Sequence, residues 1–200
     1  LPNDRRCVSI ATARQSQWSD KYSSIYNNST SCFALYPYLA DYLDAQDDRF
    51  LLSDVKGGLD SGTSFERAMD SDYEGLHEDW HFDESKISLI YAKTHRSAIF
   101  NAEGLALFTF YDDRTDILDA VHLFYTQSSH LLPHNLVLNL CRRERGDDAV
   151  YKYPPIFGIN NKDSLGIDYN YKETVNKIGA HIASFSKQAL VYDAVTQKDV

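Results

Sequence analysis

The chain has 200 residues, 43% hydrophobic and 13% aromatic, which places it with globular domains and outside disordered or fibrous classes. A formal net charge of −9, with no basic cluster beyond Arg142-Arg143-Glu144-Arg145, argues against nucleic acid or an anionic membrane surface as main partner, since both need a concentrated positive footprint. No apolar run approaches a membrane span, and no signal peptide is visible.

In chain order, Cys7 to Ala13 is expected to form a strand, followed by a polar loop, Arg14 to Ser31. Residues 32–46 place Phe33, Leu35, Tyr36, Leu39, Tyr42 and Leu43 at helical spacing despite Pro37. Phe50 to Val55 reads as a short strand closed by Gly57-Gly58. Residues 56–83 read as a long polar loop, or a small cap-like insertion, with a helical turn around Phe65 to Met69. Asp83 is the expected N-cap of a helix from Glu84 to Asn101. A buried strand is expected over 105–111, a helix over 115–127 and a further strand from Leu136 to Cys141. Val150 to Ile159, with Pro154-Pro155, reads as a loop or irregular edge, and Tyr171 to Phe185 as a last helix. This alternation implies parallel strands joined by crossover helices: one domain over 1–200, of a three-layer α/β fold with a mainly parallel sheet flanked by helices. Cys7, Cys32 and Cys141 lack metal-ligand spacing and read as buried thiols of a reducing compartment. The chain starts at Leu1 rather than Met, so a fragment or a processed form is expected.

The densest chemical signal is Phe110-Tyr-Asp112-Asp113-Arg-Thr-Asp116, where an apolar strand ends in carboxylates. Strand C-termini are where open α/β sheets bind ligands. Adjacent carboxylates repel unless a proton or a cation neutralises them, and Mg²⁺ is the natural oxygen-ligated ion for such a place.

Three segments carry a resemblance. Val8-Ser-Ile-Ala-Thr12-Ala-Arg14-Gln-Ser16, Phe82-Asp-Glu-Ser-Lys86-Ile-Ser-Leu-Ile and Phe110-Tyr-Asp112-Asp113-Arg-Thr-Asp116-Ile-Leu118 resemble, in order, the second, third and fourth motifs of haloacid-dehalogenase (HAD)-like phosphatases. With Asp60-Ser-Gly-Thr-Ser-Phe-Glu66, the wording over roughly residues 7–140 is similar to the phosphatase domains of secreted Legionella Dot/Icm effectors. The resemblance implies a HAD-like (Rossmannoid) fold and Mg²⁺-dependent phosphomonoester hydrolysis. It further implies an effector delivered by type IV secretion into host cytoplasm, where it acts on a phosphoprotein, with phosphotyrosine the first guess. Carried over residue by residue, Thr12, Lys86 and Asp112 would be catalytic. Thr12, Arg14 and Lys86 would bind substrate, and Asp112, Asp113 and Asp116 would hold the metal.

The first motif, a strand ending in the Asp-x-Asp nucleophile, has no counterpart before Thr12. Asp60-Ser-Gly-Thr63 imitates it faintly and Ala189-Leu-Val-Tyr-Asp193-Ala-Val-Thr196 somewhat better, without the second Asp. The nucleophile is therefore expected outside this chain, in an intact parent enzyme. The alternative is a catalytically inactive HAD-like binding module. A lesser alternative is a zinc metalloprotease through His77-Glu78-Asp79-Trp80-His81, which satisfies His-Glu-x-x-His but needs one continuous helix across Gly75 to His81. No Gly-x-Ser-x-Gly elbow or Gly-Lys-Ser/Thr loop is present, and Cys141-Arg-Arg places its arginines too early for a Cys-dependent phosphatase.

Overall fold

A computed structural model of the chain describes residues 6–11, 32–69, 86–143, 149–159 and 161–178. The chain divides into two compact units, Leu1–Trp80 and His81–Val200. Both mix helices with strands, and the described residues form no closed barrel.

In the first unit, strand β1 (Cys7–Ser9) pairs in parallel with β2 (Gln46–Asp48), from Cys7 opposite Gln46 to Ser9 opposite Asp48. Helix α1 (Cys32–Tyr42) connects them, in a segment whose sequence reads as mixed with apolar residues at helical spacing. Phe33, Tyr36 and Ala40 recur at helical spacing and are buried, whereas Leu35, Tyr38, Leu39 and Tyr42 are exposed. Pro37 lies inside the helix and forfeits one backbone bond. Edge-on packing of Phe33 and Tyr36 against Phe65, with both pairs of ring centroids 5.3 Å apart, offsets that loss. The Tyr36 hydroxyl lies against the Val8 and Asp48 carbonyls, so one side chain ties α1 to both strands. Burial, reinforced by Asp48, pushes its pKa well above the ordinary tyrosine range.

The strand expected over Phe50 to Val55 is instead helix α2 (Leu52–Lys56), which precedes α3 (Thr63–Met69). Phe50, Leu51, Leu52 and Val55 are all buried, and a short continuous apolar run does not distinguish strand from buried helix. Asp54 decides the matter. Its fully buried carboxylate accepts the Leu51 amide at 2.9 Å, as an acid in a first helical turn does, and also the Gly62 and Ser64 amides at 3.1 and 2.8 Å. The turn before α3 is thus wrapped around one carboxylate, and Gly62 takes a positive φ of 97° within it.

The second unit is built on β3 (Ala106–Asp112) and β4 (Leu136–Arg143), which pair in parallel from Ala106 opposite Leu136 to Asp112 opposite Arg142. Helix α5 (Thr115–Gln127) makes the crossover, and Ile117, Leu118, Val121 and Tyr125 form its buried stripe. In β4 the residues Leu136, Leu138 and Leu140 are fully buried on one face, and Val137 and Cys141 are buried on the other. A strand covered on both faces reads as a continuous apolar run, and each such leucine contributes about 1.5–3 kcal/mol. The expected irregular edge resolves into β5 (Val150–Lys152) and β6 (Ile156–Phe157), both antiparallel to β4, so this sheet is mixed.

Helix α4 (Ile87–Phe100) begins three residues later than expected, and its N-cap is Lys86 rather than Asp83, which lies outside the described residues. Ser88 to His95 are buried without a break, so α4 is enclosed on all sides along its first half. His95 helps to enclose it. Its Nε2 bonds the Leu131 carbonyl at 2.9 Å, and its Nδ1 accepts the Asp168 amide at 3.0 Å, which fixes a neutral ring. The Asp168 carboxylate accepts the Tyr91 and Thr174 hydroxyls at 3.0 and 2.6 Å and the Asn170 amide at 2.8 Å. These bonds fasten the segment before the helical residues 171–178 onto α4. Cys141 is buried as expected of a core thiol, whereas Cys7 is exposed. No helix among the described residues is long and apolar enough to cross a membrane.

Candidate functional site

Asp112 is the last residue of β3, at the C-terminal end of the parallel pair. Its Oδ1 accepts the Arg114 amide at 2.9 Å, a local turn that carries the chain off the strand and into α5. Its Oδ2 receives the Lys86 ammonium at 2.5 Å. The two side chains are only 14% (Lys86) and 6% (Asp112) exposed, so this is a shielded, charge-assisted bond rather than a surface ion pair. The Lys86 ammonium also lies 5.4 Å from the centre of the Phe110 ring, two residues back on the same strand face.

Lys86 adopts a left-handed backbone, φ 61° and ψ 16°. For a residue with a Cβ that conformation costs about 1–2 kcal/mol, and it persists only where surrounding contacts compensate. Its cation also sits at the positive end of α4, which the helix dipole disfavours. Both penalties are met by one partner, Asp112. The structure therefore brings together two of the residues singled out in the sequence, 26 positions apart.

The remaining acids behave differently. Asp116 lies on the exposed first turn of α5, where the Arg114 guanidinium grips its two oxygens at 3.1 and 2.5 Å. Those hydrogen bonds hold its carboxyl below the usual range against a small opposing effect of burial. Asp113 is exposed. Among the described residues no three His, Cys, Asp or Glu side chains converge as a metal-binding group, so Asp112, Asp113 and Asp116 do not assemble one by themselves. Asp112 is the carboxylate of the three placed at the shielded strand end. That still suits Mg²⁺, which commonly takes one or two carboxylates and completes its shell with water and phosphate oxygens.

Thr12 and Arg14 lie outside the described residues, as do His77, Glu78, His81 and Asp193. Asp60 is exposed in the turn before α3, and no strand delivers it. One feature of the strand ends escaped the sequence reading. Arg142 stands directly opposite Asp112 on β4, and Tyr151 on β5 stands opposite Arg142. Paired residues of neighbouring strands point to the same face, so Asp112, Arg142 and Tyr151 form one cross-strand row. The Arg142 guanidinium lies 4.7 Å from the Tyr151 ring centre and donates to the Thr115 hydroxyl at 3.1 Å. The equal lengths of the two apolar runs, each ending in a charged residue, were the available signal.

No family model matches the chain, and no curated protein or solved structure matches it significantly.

Proposed function

We propose that the chain carries the lysine–aspartate part of a HAD-type phosphomonoesterase site, on a HAD-like three-layer fold. The shielded 2.5 Å bond between Lys86 and Asp112 at the end of a parallel strand carries this reading. Hydrolysis of a phosphomonoester breaks the bond from phosphorus to the ester oxygen. The alcohol leaves with a proton, and the oxygen of water ends on phosphate. The protein's task is to place positive charge beside the transferring group and to hold its carboxylates in place.

Lys86 would neutralise a phosphoryl oxygen, and Asp112 fixes the ammonium in position beforehand. The strained backbone of Lys86 fits a residue held for chemistry rather than for helix stability. Mg²⁺, when bound, would be held by Asp112, with Asp113 through water, and would supply further neutralisation of phosphate charge. The attacking carboxylate would come from outside the described residues. A host phosphoprotein as substrate, and host cytoplasm as the setting of a secreted effector, rest on the similarity of Asp60–Glu66, Phe82–Ala92 and Phe110–Leu118 alone.

The test is turnover of p-nitrophenyl phosphate. Lys86→Ala should lower kcat and weaken phosphate binding together, and unaltered kinetics in that variant would remove the proposal. The second reading, an inactive binding module, draws on the failure of three acids to converge. It predicts phosphate binding without hydrolysis.

A further inference from the structure

We infer that the outer side of α1 is a self-association surface, on which a second copy of this chain packs its own α1 antiparallel across a two-fold axis. The inference is independent of the phosphomonoesterase reading. Helix α1 buries Phe33, Tyr36 and Ala40, yet a second side of it is apolar too. Tyr38, Leu39, Tyr42 and Leu43 follow Leu35 at three, four, seven and eight residues, the pattern of a single helical stripe. Leu43 joins the stripe because its amide bonds the Leu39 carbonyl at 3.1 Å, one step beyond the last helical residue. Tyr38 and Tyr42 are 74% and 85% exposed, and the three leucines 40–53%. Among the eleven residues of α1 only Asp41 carries a charge, and a helix apolar on two sides is one that a second layer covers.

Area and symmetry favour a second copy as the occupant. The five side chains leave about 500 Å² of mainly apolar surface in water, at the upper end of the largest patch that a monomeric protein exposes. Two such patches face to face bury about 1,000 Å², the size at which a specific interface begins to hold. Tyrosine is enriched in such interfaces and Lys and Glu are depleted from them, as on this stripe. The order Leu-Tyr-Leu-Tyr-Leu reads the same in both directions, which is what a two-fold axis requires. On an antiparallel partner Leu35 meets Leu43 and Leu39 meets its own copy, while the tyrosines fill the space between and keep their hydroxyls at the wet rim. Charge selects the same arrangement. Helix α1 has no acid in its first turn and no base in its last, and Asp41 and Asp44 lie at its C-terminal end, where the helix dipole disfavours them. Antiparallel packing sets that acidic end beside the partner's N-terminal end and opposes the two dipoles, whereas parallel packing would stack like charge on like.

The experiment is sedimentation equilibrium of the whole chain over about 1–500 μM, with a thiol reductant so that the exposed Cys7 cannot link copies. Wild type should rise from the 22.8 kDa of one chain towards twice that mass, with a dissociation constant on the order of 10 μM, as an interface of this size implies. Tyr38→Glu and Tyr42→Glu place a carboxylate on the stripe and leave the buried side of α1 untouched, and each should weaken association at least about ten-fold. Tyr169→Glu, at an exposed tyrosine of the second unit, should leave association unchanged. Amide resonances that move with concentration should belong to residues 34–44. Wild type that stays monomeric throughout, a dimer of unaltered strength in both folded glutamate variants, equal weakening by Tyr169→Glu, or concentration-dependent shifts confined to other residues would each overturn the inference. So would a monomer that binds phosphatidylcholine vesicles instead, since the stripe would then face a lipid surface.

Discussion

Replacing Lys86 by methionine removes the ammonium but keeps most of the side chain's length and apolar contact. It leaves the Asp112 carboxylate, 6% exposed, with the Arg114 amide at Oδ1 and without the cation at Oδ2. Breaking a buried ion pair from one side costs about 3–5 kcal/mol, against about 0–1 kcal/mol for an exposed pair. The residual exposure of Lys86 admits some water, so the lower end, about 3 kcal/mol, is the expected loss. Methionine also inherits the left-handed backbone, with its cost of about 1–2 kcal/mol, whereas glycine does not. Lys86→Gly should therefore lose only about 2 kcal/mol, even though it gives up the contact with the Phe110 ring. The assay is urea unfolding followed by far-UV circular dichroism, with amide exchange at β3 to assign the loss to the second unit. If Lys86→Met lies within about 0.5 kcal/mol of wild type, the pair is solvent-separated and the argument from shielding fails.

Asp54→Ala should destabilise the first unit by at least about 3 kcal/mol, because three backbone amides lose their acceptor inside the protein; proteolysis of residues 49–66 would report the loss. Gly158→Ala should cost about 1–3 kcal/mol in thermal unfolding, since a Cβ there would stand 2.1 Å from the Pro133 carbonyl oxygen. The His95–Asp168 fastening should weaken in acid. Burial lowers the His95 pKa from 6.5, so its stabilising contribution is complete above about pH 6.5 and is lost as pH falls towards the lower folded-state value. Burial pushes the Asp168 carboxyl up, but bonds from Thr174, Tyr91 and Asn170 outweigh it and hold the carboxyl below its ordinary 3.8. Its contribution is present above that value and is lost as pH falls further. Amide protection at Asp168 and Asn170 should therefore fall as pH drops below about 6.5 in wild type and not in His95→Gln, and a parallel decline in both proteins would refute the assignment.

The sequence was most legible where one face of an element meets the core. The stripe of Ile117, Leu118 and Val121 placed α5 to the residue, and the run before Asp112 placed β3 within one residue of its observed ends. It was least legible where another part of the chain decides. The Phe50 to Val55 run became a helix because Asp54 collects amides from Gly62 and Ser64, distant partners that no local pattern reveals. The pieces β5 and β6 exist as strands because β4 offers them an edge, and neither shows a period of its own. At α4 the local pattern favours Asp83, a good capping residue, over a lysine in an uncommon backbone state. The observed cap follows from the tertiary bond to Asp112, which local propensity does not contain. Arg142 carries no local signal for the same reason, since its place beside Asp112 is a matter of register between strands 30 residues apart.

The most direct measurement is p-nitrophenyl phosphate hydrolysis by the protein, together with any sequence that naturally precedes Leu1, with Mg²⁺ and with EDTA, in wild type and Asp112→Asn. Turnover in wild type should depend on Mg²⁺ and be abolished by EDTA, and it should be lost in a folded Asp112→Asn protein, because the carboxylate that pairs with Lys86 and would hold the ion is gone. Equal turnover in the two proteins, or none in folded wild type, would contradict it.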